Sequence, residues 1–166
     1  MAQTALRGKP VNTSGDLPRV GQQAPAFTLT TKSLGKISSK SLEGRKIVLN
    51  IFPSLDTPTC AQSVRTFNEH SAELTDTTVI CVSADLPFAA DRFCGAENIE
   101  NIKTGSTFRN QEFLDDYGVK IMDGPLAGLC ARALVVIDTD GTVLHNQLVA
   151  EIADEPDYES ALSALQ

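Results

Sequence analysis

The sequence predicts one α/β domain over residues 1–166, with a central mixed sheet flanked by helices and a β-hairpin added at the N-terminus. Two observations carry this prediction. The apolar runs at 46–52 and 77–85 are typical of strands that are covered on both faces, and a helical segment follows each of them. Near the C-terminus, the segment 129–149 contains two apolar runs around an Asp-Gly pair, which indicates an antiparallel hairpin.

Short strand patterns occupy the first forty residues. The segment 1–20 contains two small runs around a Gly-Lys-Pro turn at 8–10, which predict a first hairpin. The segment 26–39 alternates apolar and polar residues around Gly35, which predicts a second hairpin. Both hairpins precede the two long buried strands, so the added β-structure lies at the N-terminal side.

Four helices are predicted, over residues 58–74, 86–97, 106–119 and 154–165. The first has one apolar stripe, formed by Cys60, Val64, Phe67, Ser71 and Leu74. The second has Pro87 in its first turn. The third ends at Gly118 as its C-cap and turns four residues inward, namely Phe108, Phe113, Leu114 and Tyr117. This order of strands, helices and a final hairpin with its helix resembles the thioredoxin-like fold.

Composition and charge exclude several classes of function. A net charge of -7, with no run of Lys or Arg, argues against nucleic-acid binding. No segment approaches the ~18 consecutive apolar residues that cross a membrane, and the N-terminus lacks the apolar part of a signal peptide. We therefore expect a cytoplasmic protein whose thiols are reduced. The cysteines are irregularly spaced with no C-x-x-C pair and the two histidines are isolated, so we expect no zinc site.

The turn between Asn50 and Cys60 places a thiol in an unusual position. Thr57 is a natural N-cap, Pro58 suits the first helical position, and Cys60 then falls at the third. Unpaired backbone N–H groups and the helix dipole favour a thiolate there. By itself this position leaves four uses open for the sulfur: nucleophile, metal ligand, half of a disulfide or small apolar filler.

A reactive thiolate also needs donors aimed at its electrophile, because a lower thiol pKa reduces intrinsic nucleophilicity as well. Thr57 supplies a hydroxyl within one turn of Cys60. Arg132 is the candidate cation, since it lies at the start of an otherwise apolar strand and arginine is rarely buried without a partner. Alternation along the strand predicts that Arg132 shares a face with its neighbours Cys130, Leu134 and Val136.

The spacing Pro53-x-x-x-Thr57-x-x-Cys60 resembles the peroxiredoxin signature. The segments 83–97, 106–119 and 124–138 resemble the thiol peroxidase branch of that family, of the atypical two-cysteine type, and the similarity extends over nearly the whole chain.

The resemblance implies a role for each site residue. Cys60 would be the peroxidatic cysteine and Arg132 the active-site arginine, while Pro53 would shield the sulfur and Thr57 would hydrogen-bond the thiolate and the peroxide. Cys94 would be the resolving cysteine.

The implied reaction is the reduction of hydrogen peroxide and organic hydroperoxides without metal, haem or flavin. Cys60 becomes a sulfenic acid, Cys94 converts it to an intramolecular disulfide, and thioredoxin reduces that disulfide. A homodimer is also implied. We place Cys60 and Cys94 at two different helix starts and expect the sulfurs to be too far apart to bond until one or both helix ends unwind.

Other interpretations stay open beside this one. A thioredoxin-like disulfide oxidoreductase is disfavoured by the missing C-x-x-C, and a non-enzymatic redox sensor or chaperone would share the first chemical step. Cys81 and Cys130 are interpreted as buried small hydrophobes. Phe88 and Phe93 are interpreted as core residues, with an apolar collar around the substrate as the alternative.

Overall fold

The computed structural model describes residues 2–166, and its first two strands form a sheet of their own. This hairpin consists of β1 (Gln3–Leu6) and β2 (Lys9–Asn12), which pair antiparallel as the sequence predicts. A second sheet contains the remaining strands: β3 (Thr28–Thr30), β4 (Lys36–Ser38), β5 (Lys46–Ile51), β6 (Thr77–Ser83), β7 (Lys103–Ser106), β8 (Ala133–Ile137) and β9 (Val143–Leu148).

The larger sheet is mixed, with the strand order β4-β3-β7-β6-β5-β8-β9. Strands β5, β6 and β7 run parallel, whereas β8 pairs antiparallel with both β5 and β9. Because β5 and β8 are antiparallel, the end of β5 lies beside the start of β8, where Ile51 pairs with Ala133. The turn that follows β5 and the residue that precedes β8 are therefore neighbours.

Helices cover both faces of this sheet. They are α1 (Pro58–Ser71), α2 (Pro87–Glu97), α3 (Glu112–Asp116) and α4 (Tyr158–Ser163), with a short 3-10 helix at Lys40–Leu42. On one face, α1, α2 and α4 share an apolar cluster with the sheet, formed in part by Val48, Val64, Phe67, Val79, Ala90, Val136 and Ala161. On the other face, α3 and β3 contribute Phe113, Leu114 and Leu29 to a second cluster. The predicted α/β class with an N-terminal hairpin is confirmed.

The structure corrects the prediction for residues 103–119. Strand β7 was not predicted, because Lys-Thr-Gly-Ser carries no apolar run. A Cβ at Gly105 would lie only 2.7 Å from Leu29, so the close approach of these strands requires a small residue there. The predicted helix over 106–119 is wrong in length, since only Glu112–Asp116 is α-helical. The N-terminal part of the predicted helix instead forms the end of β7 and a turn, and Phe108 in that turn is only half-buried.

The predicted face of Cys130 is also wrong. Leu134 and Val136 contribute to the cluster that contains α1, whereas Cys130 belongs to the cluster on the opposite face of the sheet. Alternation fails here because Cys130 precedes β8 and pairs instead with Lys120 in an isolated bridge. The other boundaries differ less: α1 ends at Ser71 rather than at 74, for example.

Candidate active site

The first turn of α1 presents Cys60 directly after the buried strand β5. Thr57 is the N-cap residue with φ -107 and ψ 144, Pro58 follows at the first position, and Cys60 is fully buried. The predicted helix start is therefore confirmed. The Thr57 hydroxyl does not cap the helix; it donates to the Ser54 carbonyl at 3.0 Å. This bond stiffens the turn that begins with the buried Pro53.

Arg132 lies against the sulfur of Cys60. The side chain is only 2% exposed, and its Nη2 donates to Cys60 Sγ at 3.1 Å while Nε donates to the Ile152 carbonyl at 2.7 Å. Within residues 2–166 the ion pairs are Arg65–Glu97 and Arg92–Asp56, so no carboxylate compensates the Arg132 charge. A buried cation without a counter-charge is unfavourable, and a thiolate at Cys60 supplies that counter-charge.

The second terminal nitrogen of Arg132, Nη1, is buried and has no hydrogen-bond partner in the described part of the chain. Buried donors are nearly always paired in folded proteins, so an unpaired one beside a thiol indicates a place for an additional acceptor. A small oxygen-containing molecule held at Nη1 would lie next to Cys60. The guanidinium thus presents one donor to the sulfur and keeps another free.

A cleft of about 860 Å³ leads to this site. Pro53, Thr57 and Arg132 line it, together with residues of the N-terminal hairpin and of the loop at 123–126. Several of the lining side chains are apolar, namely Leu6, Val11, Pro125, Leu126 and Ile152. The cleft therefore combines apolar side chains with the Arg132 guanidinium, while Cys60, which Arg132 contacts, is fully buried.

Asp85 was missed by the sequence reasoning, although it holds the active-site turn. Its carboxylate accepts hydrogen bonds from the Ser54 hydroxyl at 2.8 Å and from the Leu55 amide at 2.7 Å. Asp85 follows β6, whose carboxyl end lies beside that of the parallel strand β5. A polar residue directly after a buried strand that neighbours the cysteine turn was the available signal.

Cys94 lies in the last turn of α2, not at a helix start as predicted. The helix begins at Pro87, and the backbone N–H of its C-cap residue Asn98 bonds to the Cys94 carbonyl. Cys94 is 3% exposed and belongs to the same apolar cluster as Cys60. All four cysteines are free and buried in the structure.

The remaining thiols are in environments that favour the neutral form. Burial raises the pKa of Cys81 to about 12 and that of Cys130 to about 12, in both cases against a smaller opposing effect of one hydrogen bond. Burial is also the main reason why the pKa of Cys94 is raised. Cys81 and Cys130 are fully buried among apolar side chains, in keeping with their interpretation as small hydrophobes.

The interpretation of Phe88 as a core residue is wrong, because its side chain is 67% exposed on α2. Phe93 is half-buried and packs against the cluster around Cys60. Within residues 2–166, no group of three or more His, Cys, Asp or Glu side chains is arranged to hold a metal ion. Among the helices that the structure describes, none is long and apolar enough to cross a membrane.

Comparison with known proteins identifies the family. The redoxin family model matches residues 19–162. The chain belongs to the redoxin family. A thiol peroxidase of Mycobacterium tuberculosis (strain H37Rv) is 60% identical over 165 residues, which cover 99% of both chains, and a thiol peroxidase of Mycobacterium bovis is equally similar. These relatives place the chain in the thiol peroxidase branch of the redoxins.

Solved structures agree with this placement. A peroxiredoxin-like protein from Aquifex aeolicus is 38% identical, with a TM-score of 0.94 over 99% of this chain and 96% of its own. A thiol peroxidase from Chromobacterium violaceum, at 22% identity, has the same fold with a TM-score of 0.90 over 99% of this chain and 95% of its own. The resemblance inferred from the cysteine motif is confirmed, and so is the prediction that this redoxin is a peroxidase enzyme.

Proposed function

We propose that this thiol peroxidase reduces hydrogen peroxide and organic hydroperoxides, with the Cys60 thiolate as the attacking group. One observation carries the assignment: the buried Arg132 donates to Cys60 Sγ at 3.1 Å and has no carboxylate partner among residues 2–166. A guanidinium cannot lose its proton at neutral pH, so its charge stabilises the thiolate permanently.

The first step is attack of the thiolate on the terminal oxygen of the hydroperoxide. The S–O bond forms as the O–O bond breaks, Cys60 becomes a sulfenic acid, and the leaving alkoxide takes a proton to become an alcohol or water. The free Nη1 of Arg132 is the donor for the peroxide oxygens. The Thr57 hydroxyl donates its own proton to the Ser54 carbonyl, so toward the peroxide it acts as an acceptor for the O–H group. Donors fixed in a water-poor site stabilise the charge that develops on the leaving oxygen. Pro53 keeps water from the sulfur.

In the second step the Cys94 thiol attacks the sulfenic acid, so that an S–S bond forms and water leaves. A disulfide requires Cα atoms within about 7 Å, and Cys94 lies buried in a helical turn. We expect the last turn of α2 to open so that the Cys94 sulfur can reach Cys60. Gly95, which follows Cys94 and has low helix propensity, makes this opening easier.

The third step needs an external dithiol, since the chain has no C-x-x-C pair. Thioredoxin is the proposed reductant, and thiol–disulfide exchange with it restores both cysteines. We also propose a cytoplasmic location, since thioredoxin keeps protein thiols reduced in that compartment. We further propose a homodimer, in which the exposed Leu86 and Phe88 at the start of α2 become covered.

The test is peroxide-dependent oxidation of NADPH, coupled through thioredoxin reductase and thioredoxin, with hydrogen peroxide and cumene hydroperoxide as substrates. Cys60→Ser should abolish turnover. Cys94→Ser should allow one equivalent of Cys60 oxidation but no disulfide and no cycling, whereas the matched control Cys81→Ser should form the disulfide. Stoichiometric oxidation of the wild type without turnover would contradict the enzyme assignment and favour a redox sensor. Normal cycling of Cys94→Ser would refute the resolving role of Cys94.

A further inference from the structure

We propose that the N-terminal hairpin positions the active-site arginine through the segment 149–153, and that Thr4 and Glu151 are the positioning residues. The inference rests on the proposed function, because the alignment of Arg132 matters only if Arg132 acts on the peroxide. It assigns a catalytic purpose to a part of the chain that lies outside the central sheet.

The segment 149–153 holds Arg132 by both its backbone and its side chain. The Val149 amide donates to the Arg132 carbonyl at 3.0 Å, and the Ile152 carbonyl accepts from Arg132 Nε at 2.7 Å. In the described part of the chain, the only other acceptor of the guanidinium is the Cys60 sulfur. The Ile152 carbonyl is thus the one oxygen that fixes the direction of the guanidinium, and its own position decides where Nη1 points.

Strand β1 of the hairpin anchors this segment from the outside. The buried Thr4 hydroxyl lies 2.7 Å from the Val149 carbonyl and 3.2 Å from the Ala150 carbonyl, either of which can accept its proton. The Ile152 amide donates to the Ala5 carbonyl at 2.8 Å. The Thr4 hydroxyl and the Ala5 carbonyl thus hold the segment on both sides of residue 151. The Ile152 carbonyl, which binds Arg132, therefore has little freedom to move.

The tip of the hairpin supplies the second anchor. The Glu151 carboxylate accepts from the Gly8 amide at 2.8 Å and from the Arg7 amide at 3.2 Å. Both tip residues have left-handed backbones, with φ of 53 at Arg7 and 80 at Gly8, and this turn directs the two amides toward the carboxylate. The hydrogen bonds from the Gly8 and Ala153 amides hold the pKa of Glu151 below its ordinary range, so the carboxylate is charged at neutral pH.

The same segment also contacts the helix that carries the cysteine. The Thr59 hydroxyl, one residue before Cys60, donates to the Ala153 carbonyl at 2.8 Å. The segment therefore contacts both Arg132 and the helical turn that carries Cys60, and it fixes the position of one relative to the other. Because a misplacement of about 1 Å can cost roughly 100-fold in rate, a loosened segment should slow the peroxide reaction while it leaves the thiol reactive.

The experiment compares two second-order rate constants of Cys60 in each variant, one with hydrogen peroxide and one with iodoacetamide. Alkylation by iodoacetamide follows the thiolate fraction and needs no alignment of the guanidinium with an O–O bond. Thr4→Val and Glu151→Ala should lower the peroxide rate constant about 10-fold. The alkylation rate constant should change less than about twofold, and Glu151→Gln should recover most of the loss, since an amide oxygen still accepts from a backbone N–H. Asp154→Ala is the matched control for loss of a carboxylate next to the segment and should resemble the wild type.

Arg132→Ala completes the design and separates the two proposals. It should lower the peroxide rate constant by about 100-fold or more, and Glu151→Ala should have no further effect in that background. If Arg132→Ala reacts with peroxide like the wild type, the proposed function fails. If Arg132→Ala is slow but Thr4→Val and Glu151→Ala react as fast as Asp154→Ala, the proposed function stands and the positioning role is overturned. Equal losses of peroxide reaction and alkylation in Glu151→Ala would also overturn it.

Discussion

Gly95 gives a direct test of whether α2 has to open before the disulfide forms. The residue is exposed, lies in the last turn of α2 next to Cys94, and has no left-handed backbone. A Cβ built on Gly95 meets no atom within 4 Å. Gly95→Ala therefore adds helix propensity to the turn without a steric penalty, and it leaves Cys60 and Arg132 untouched.

The expected size of the effect follows from helix propensity. Alanine stabilises a helix interior over glycine by about 0.5–1 kcal/mol. If the turn unwinds before the Cys60–Cys94 bond forms, that free energy is added to the activation barrier of disulfide formation. The rate of disulfide formation then falls by about two- to fivefold. Attack of Cys60 on the peroxide precedes the opening, so the rate of sulfenic acid formation should not change.

Rapid acid quench followed by thiol alkylation and mass spectrometry separates these two steps, because sulfenic acid and disulfide differ in mass and in alkylated thiols. The converse variant Ala96→Gly lies in the same exposed turn and should accelerate disulfide formation by a similar factor. Urea unfolding measures whether Gly95→Ala raises the free energy of unfolding as intended. A stabilised protein that forms its disulfide at the wild-type rate would refute unwinding of α2 as the step that limits resolution.

Three further variants test the core, a thiol and a helix cap. Phe67→Ala should lower the free energy of unfolding by about 3–5 kcal/mol in urea titrations, since Phe67 is fully buried and its ring lies 5.3 Å from that of Tyr158; a loss below 1 kcal/mol would contradict this packing. Cys81→Ala should keep peroxidase turnover within about twofold, because a thiol with a pKa of about 12 stays protonated at neutral pH; loss of turnover would assign Cys81 a role in the reaction. Asp157 caps α4, and its pKa is lowered mainly by the Ser160 hydroxyl. Its contribution to the free energy of unfolding is therefore fully present above pH 3.8 and is lost as the pH falls through the lowered pKa of the folded state. Asp157→Ala should thus lower the melting temperature more at pH 7 than at a pH below 3.8, where protonation of the folded carboxylate has begun, and an equal effect at both pH values would exclude ionisation as the cause.

The class of fold and the helix start could be predicted because both depend on local patterns. The apolar runs of β5 and β6 are long enough to be recognised without their partners, and the Asp-Gly pair at 140–141 marks the turn between β8 and β9. Thr57 and Pro58 each favour the backbone found at a helix N-terminus, so the position of Cys60 in α1 follows from these two residues.

Strand β7 could not be predicted in the same way. Residues 103–106 become a strand because β3 and β6 offer hydrogen-bonding edges on either side, and the polar sequence has no strand signal of its own. Cys94 was placed at a helix start, although the predicted helix over 86–97, which agrees with the observed Pro87–Glu97 to one residue, already carries residue 94 into the last turn. Element boundaries depend on contacts with other elements, which a local pattern does not contain.

The sequence by itself determined the chemistry that is available: a cysteine at a helix N-terminus, a threonine within one turn of it, and an arginine at the start of an apolar strand. Only the tertiary structure decided that Arg132 lies 3.1 Å from Cys60, because the antiparallel pairing of β5 with β8 brings together residues that are 72 positions apart. It also decided what orients the arginine. The Ile152 carbonyl and the amides of Arg7 and Gly8 are backbone groups, which every residue other than proline has. Their roles depend on the path of the chain, so the amino-acid sequence does not indicate them.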